Sequence, residues 1–157
     1  MHVKSYITLI LILCAFSVLA QKADTLTIVC YNIHHGNPPA KPGVIDLDAI
    51  ANVIGSQNPD LVALQEVDVN IKRSGNVDQA AYLAKKLNMH FYFAKAIDHD
   101  GGDYGVAVLS KFPILDKTKL KFSRIEGRAA EDRVLATITV SLKSGQKIKF
   151  SSTHLDH

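Results

Sequence analysis

The chain has 157 residues, 47% of them hydrophobic and 21% charged, with a formal net charge of +3. That length suits one domain, and the composition excludes a disordered, collagen-like or disulfide-scaffold protein. The charge gives no broad basic footprint of the kind a dedicated nucleic-acid binder carries, although a local patch on a nuclease would not register in it.

The first twenty residues read as a secretory leader. Lys4 precedes an apolar run from Tyr6 to Phe16, and Ser17-Val18-Leu19-Ala20 ends it in small residues, which predicts cleavage after Ala20. The chain is therefore expected to be exported, to a periplasmic or extracellular location. The run falls short of the roughly 18 apolar residues a spanning helix needs, so no stable membrane span is expected. Cys14 opens a lipoprotein alternative, against which the bulky Leu13 stands. Removing residues 1–20 leaves 17 basic against 15 acidic residues, a balance of +2, and Cys30 as the one remaining cysteine. No internal disulfide can then form, so stability must come from burial.

Thr25–Tyr31 reads as a buried β-strand, with Cys30 as a small buried hydrophobe. Asn32-Ile33-His34-His35-Gly36 leaves that strand, and Pro38, Pro39, Pro42 and Gly43 mark a loop. Leu47, Ile50, Ala51 and Ile54 recur at helical spacing and predict an amphipathic helix over 46–56. Leu61–Leu64 is a short apolar strand with Gln65 and Glu66 at its exit. A second helix is expected over 78–87, with stripe Ala80, Leu83, Ala84 and Leu87 and Asp78 as its cap. His90–Ala94, Tyr104–Leu109 and Leu115–Phe122 read as strands, with Gly101-Gly102 and Pro113 as breaks. Over 133–142, Val134, Ala136, Ile138 and Val140 share one face. A turn at 143–146 leads into a strand over 147–153, with Ile148 and Phe150 inward. Two early helices and late antiparallel hairpins suit a layered α/β sandwich.

Four strand ends deliver polar groups that a plain core does not need: Asn32, Glu66, Tyr104 and His154. Singly, each has an ordinary reading as a turn residue, a solvated acid, a strand tyrosine or a satisfied core histidine. Together with their flanks they form a pattern: Tyr31-Asn32-Ile33-His34-His35-Gly36, Leu64-Gln65-Glu66-Val67-Asp68, Gly102–Ser110, Glu131-Asp132-Arg133 and Thr153-His154-Leu155-Asp156-His157. In these motifs, their order and their spacing, the chain from about Thr25 onward resembles the endonuclease/exonuclease/phosphatase superfamily. That group includes DNase I-like nucleases, sphingomyelinases and inositol polyphosphate phosphatases. The His-His-Gly start and Arg73-Ser74-Gly75 are similar to its bacterial secreted metal-dependent hydrolases.

The resemblance implies an α/β fold, the N-terminal half of a four-layer α-β-β-α sandwich, with residues 21–157 as a partial domain. It implies hydrolysis of a phosphodiester or phosphomonoester by activated water. Glu66 would be the metal-binding carboxylate, for Mg²⁺ or alternatively Mn²⁺. Asn32 would orient the phosphate or assist at the metal, His154 would donate to the scissile phosphate, and Tyr104 would add a phenol hydrogen bond. Arg133, His34, His35, Asp68 and Arg73 would line the substrate pocket. The ordinary readings beside these are an ion pair of Arg133 with Glu131 and a surface salt bridge of Asp68 with Arg73 in the loop after Glu66. Zinc ligation by His34 and His35 is disfavoured, because neighbours leaving a strand point opposite ways. Asp156 and His157 could extend the site.

The family pattern continues after Thr153-His154-Leu155 with a later Gly-Asp-Phe-Asn-like segment and, beyond it, a terminal Asp-His pair; no such segment follows here, and Asp156-His157 adjoins His154 without it. Asp98-His99 is the right dipeptide in the wrong order. The chain is accordingly expected to be the front portion of its parent, poorly soluble and without turnover alone. Candidate substrates are nucleic acid, a phospholipid head group or a sugar phosphate, and no protein partner is implied. The competing reading is a non-catalytic binding protein or remnant on the same scaffold.

Overall fold

The computed structural model describes residues 25–122 and 131–155. The expected leader over residues 1–20, Asp156 and His157 lie outside the described residues. Among the described residues two α-helices form, α1 (Leu47–Ser56) and α2 (Gln79–Leu87). The strands are β1 (Ile28–Asn32), β2 (Leu61–Val69), β3 (His90–His99), β4 (Gly102–Ser110), β5 (Ile114–Lys121), β6 (Val134–Ser141) and β7 (Lys147–Thr153). Sheet one runs in the order β1-β2-β4-β3 and sheet two in the order β5-β6-β7. Among the described residues only β1 and β2 pair in parallel, joined through α1, because parallel neighbours need a crossover.

Both helices begin where a short acid can cap them. The Asp46 and Asp78 carboxylates each accept a backbone N–H three residues on, at 2.9 Å, and each cap contributes about 1 kcal/mol. Each helix then buries one apolar stripe against sheet one. Alternation along the strands divides the core in two. Val62, Leu64, Ala107 and Leu109 face the helices, whereas Leu61, Val106 and Val108 face Val134, Ala136, Ile138 and Val140 of β6. The described residues thus make three layers, helices, sheet and sheet, of the expected four-layer sandwich. Burying each large side chain here contributes about 1.5–3 kcal/mol.

The first strand departs from expectation. Thr25–Tyr31 reads as buried, yet β1 starts at Ile28 and alternates between exposed and half-buried positions, with Ile28 53% exposed and Cys30 exposed. Val29 and Tyr31 pack toward the helices, so Ile28 and Cys30 face the side of sheet two. There β7 lies against β2 and β4, and the side chains of β1, one strand further out, stay open. An apolar run shows that a strand has a greasy face, but not whether a neighbour covers it.

Strand lengths differ too. β2 continues five residues past Leu64, so Glu66 lies inside it and not at its exit. Tyr104 is the third residue of β4, paired with Asp68 on one side and Ile97 on the other. Gly105 follows because β3 has its own irregularity opposite. A Cβ at 105 would collide with the carbonyl oxygen of Ala94.

Candidate active site

Glu66 owes its position to a β-bulge. Leu64 pairs with Ala107 and Val67 with Gly105, so Gln65 and Glu66 together oppose Val106 alone. The extra residue resets the alternation, and Leu64 and Val67 both face the helices. Glu66 itself takes a left-handed backbone, φ +55°, a conformation that costs a non-glycine residue about 1–2 kcal/mol. Its side chain is 19% exposed, and among the described residues no lysine or arginine is in ion-pair contact with it.

The neighbouring side chains come from two segments, the exit of β1 and the end of β7. Asn32, the last residue of β1, donates its Nδ2 to Glu66 Oε1 at 2.6 Å and accepts the His34 backbone N–H on Oδ1 at 2.9 Å. His154, immediately after β7, holds Nε2 3.9 Å from the same Oε1. His35 holds Nδ1 3.9 Å from Oε2.

His154 is brought there by a polar link between the sheets. Ser152 Oγ donates to the Leu64 carbonyl at 2.9 Å and accepts from Gln65 Nε2 at 3.1 Å, while Thr153 Oγ1 donates to the Val134 carbonyl at 2.9 Å. These bonds fix the end of β7 over the bulge. His154 Nδ1 is buried and has no hydrogen-bond partner among the described residues.

His34 and His35 correct an expectation. They do not continue the strand but form a 3-10 turn, His34–Gly36, whose φ values of +46°, +44° and +84° are all left-handed. Strand alternation does not apply in such a turn, and the two rings lie together with centroids 4.3 Å apart. Gly36 permits the turn, since a Cβ there would press to 2.9 Å from Gln79 Nε2 and 3.0 Å from Leu47. Gln79, fully buried, locks the turn to β2. Its Nε2 donates to the His35 carbonyl at 2.7 Å, and its Oε1 accepts the Asp68 backbone N–H at 3.0 Å. Burial, with the Arg73 and His34 charges beside it, holds the His35 imidazole below its usual pKa.

Asp68 and Arg73 need correction as well. Asp68 is neither in a loop nor on a rim. It lies within β2, fully buried, and both its oxygens are held by Arg73, Nε at 2.9 Å and Nη2 at 2.8 Å. The bulge turns Asp68 inward, and a buried carboxylate needs such a partner. Asp68 therefore holds Arg73 and offers no oxygen to solvent, and the pair is no surface salt bridge. The Arg73 guanidinium lies 5.6 Å from the centre of the Tyr104 ring. Burial, then the negative charges of Glu66 and Glu131, push the Tyr104 phenol up to about 12. Tyr104, Arg133 and His154 line one narrow pocket between the sheets, and Arg133 pairs with Glu131 at 3.3 Å. Asp98 lies at the far end of β3, paired with Lys95 at 2.6 Å.

The fold thus gathers Asn32, His34, His35, Glu66 and His154 around one carboxylate, with Tyr104, Arg73 and Arg133 adjoining. Sequence reasoning missed the amides and hydroxyl that fix this arrangement. Gln79 lies four residues before Leu83 and so on the apolar stripe of α2, and Ser152 continues the inward series Ile148 and Phe150. A polar residue in phase with a buried face was the available signal.

The sequence profile of the endonuclease/exonuclease/phosphatase family matches residues 29–145. No curated protein sequence is significantly similar to this chain. Among solved structures, an endonuclease/exonuclease/phosphatase from Beutenbergia cavernae is similar at 27% identity and a TM-score of 0.63, over 83% of this chain and 38% of that one. A family protein from Leptotrichia buccalis is similar at 23% identity and a TM-score of 0.62, over 84% and 54%. The human Nocturnin catalytic domain, solved with a bound sulfate anion, shares the fold at 19% identity and a TM-score of 0.57, over 80% and 48%. The chain thus spans 38% and 54% of the first two proteins. With a profile match across most of its length and both sheets in the corresponding DNase I-like arrangement, this chain belongs to the endonuclease/exonuclease/phosphatase family.

Proposed function

We propose that this chain supplies one side of an active site that hydrolyses a phosphate ester with the help of a divalent cation at Glu66. The observation that carries the reading is the convergence of Asn32 and His154, from different sheets, on one Glu66 oxygen at 2.6 and 3.9 Å. A carboxylate mostly removed from water, without a lysine or arginine partner among the described residues, fits a hard cation that takes an oxygen ligand. When bound, Mg²⁺, or alternatively Mn²⁺, supplies Lewis acidity to the phosphoryl group.

The chain's own residues then have distinct tasks. Glu66 would hold the cation, with Asn32 fixing the carboxylate through Nδ2. A proton on His154 Nε2 leaves a bare lone pair at the buried Nδ1 and not an orphaned N–H donor. That tautomer aims a donor at the Glu66 side, where a phosphoryl oxygen would lie, and a donor fixed there stabilises developing negative charge. Tyr104, still protonated well above neutral pH, offers a second donor. Arg133 borders the same pocket and would meet substrate oxygens. The sulfate bound by the Nocturnin domain, an anion shaped like phosphate, is in keeping with this. The leader supports export, so that the reaction would take place outside the cytoplasm.

The test is calorimetric binding of Mg²⁺ and inorganic phosphate by the full chain, with hydrolysis of p-nitrophenyl phosphate, bis-p-nitrophenyl phosphate, DNA and sphingomyelin assayed on its longer parent protein. Glu66→Gln is expected to abolish Mg²⁺-dependent phosphate binding by the chain and to lower kcat/KM of the parent by at least about 100-fold, the scale of removing one essential electrostatic group. Phosphate binding that is absent with Mg²⁺, or that is indifferent to Glu66→Gln, overturns the proposal.

A further inference from the structure

His34, His35 and Glu66 each present one ligating atom, and these atoms all lie within 4.8 Å of one another. We infer that they form a nitrogen-bearing cation position on the Oε2 side of Glu66, which takes a transition-metal dication of the Zn²⁺ or Co²⁺ class. The position shares Glu66 with the hydrolytic site proposed above but draws on different groups. Oε1 faces Asn32 and His154, whereas Oε2 faces His35.

Three observations support the inference. The first is the backbone. Eight described residues other than glycine have positive φ, and five are asparagine or aspartate: Asn58, Asn70, Asn76, Asn88 and Asp100. Those residue types visit the left-handed region readily. The three exceptions are His34, His35 and Glu66, the members of the cluster. Histidine visits that region more often than most residues, so Glu66 carries the clearest strain, and a left-handed backbone at all three residues whose side chains meet is typical of a functional site.

The second observation is the supporting bond on His34. Its Nδ1 lies 3.2 Å from the Asn37 carbonyl oxygen, which can only accept, so Nδ1 carries the hydrogen and Nε2 carries the lone pair. Metal-ligating histidines are typically oriented in this way, with the second ring nitrogen donating to a carbonyl. The third is distance. His35 Nδ1 and Glu66 Oε2 are 3.9 Å apart. Two bonds of about 2.0–2.2 Å to one ion span at most about 4.2 Å, so a single ion can touch both. The His34 ligating atom lies within 4.8 Å of the other two, so a shift of about half an ångström, small enough to keep its bond to Asn37, brings it to the same ion. Two imidazoles beside one carboxylate select a borderline ion over Mg²⁺, which prefers an all-oxygen shell.

The test is a Co²⁺ titration of the full chain in millimolar Mg²⁺, followed by the visible ligand-field bands of cobalt, with Zn²⁺ as competitor. His34→Asn and His35→Asn are the variants of choice, because asparagine tolerates the left-handed backbone. Each is expected to weaken Co²⁺ binding at least about 10–100-fold, a loss seen even for groups that only support a ligand. A measurement on the unsubstituted chain guards against misfolded variants. Adding Zn²⁺ should shift the ring resonances of His34 and His35 and leave those of His90 and His99 in place. Co²⁺ binding unchanged in the double variant, displacement by millimolar Mg²⁺, or zinc shifts that miss both rings overturns the inference. None of these readouts involves ester turnover, so the inference and the hydrolase reading can fail separately.

Discussion

Replacing Gln79 with methionine removes two hydrogen bonds while nearly preserving the shape of a fully buried side chain. The bonds at 2.7 and 3.0 Å satisfy the His35 carbonyl and the Asp68 N–H, and neither group gains a substitute partner from a thioether. A net loss of about 0.5–1.5 kcal/mol per bond, with about 1–3 kcal/mol for a polar group left unsatisfied, puts the destabilisation at about 2–4 kcal/mol. A domain's whole stability is about 5–15 kcal/mol, so the urea midpoint should fall well outside error. The same change frees the His34–Gly36 turn from β2, so Co²⁺ affinity should drop although Gln79 offers no ligand. Circular dichroism in urea measures the first effect and cobalt absorbance the second. A Gln79→Met chain within about 0.5 kcal/mol of the unsubstituted chain would show that surface substitutions and this one behave alike, and that the amide does not hold the site together.

Two further outcomes follow from the same geometry. Asp68→Asn strands the Arg73 guanidinium against a buried amide. With about a third of Arg73 exposed to water, the expected loss is below the 3–5 kcal/mol of a fully buried pair, about 2–3 kcal/mol by urea denaturation. The Tyr104 phenol is raised from 10.0 to about 12 in the folded chain, chiefly by burial. Its contribution to stability is therefore complete below pH 10 and disappears as pH rises toward 12, because the unfolded phenol ionises first. Tyr104→Phe should flatten that alkaline decline, and an identical decline in both chains would show that other groups cause it.

Much of the framework was legible in the linear order of residues. Asp78 announces its helix because capping is a bond between neighbours three residues apart. Val134, Ala136, Ile138 and Val140 announce β6 because strand geometry puts alternate residues on one face. The motifs around Asn32, Glu66 and His154 point to a shared site through their resemblance to the family, although Glu66 lies within β2 and not at a strand exit. Cys30 and Ile28 show the limit of such reading, because their exposure depends on where β7 ends up and not on β1.

Periodicity, caps and polar residues set among apolar strands are written in the linear chain, because each of these is an interaction over a few residues. That Gln65 and Glu66 bulge, that His34 and His35 turn left-handed toward one carboxylate, and that Asp68 is swallowed by Arg73 emerges once the sheets and helices pack. Those outcomes rest on bonds between segments far apart in the chain: Ser152 on Leu64, and Gln79 on His35. A register shift or a strained backbone becomes stable only when distant partners satisfy the groups it displaces, and no local preference encodes that.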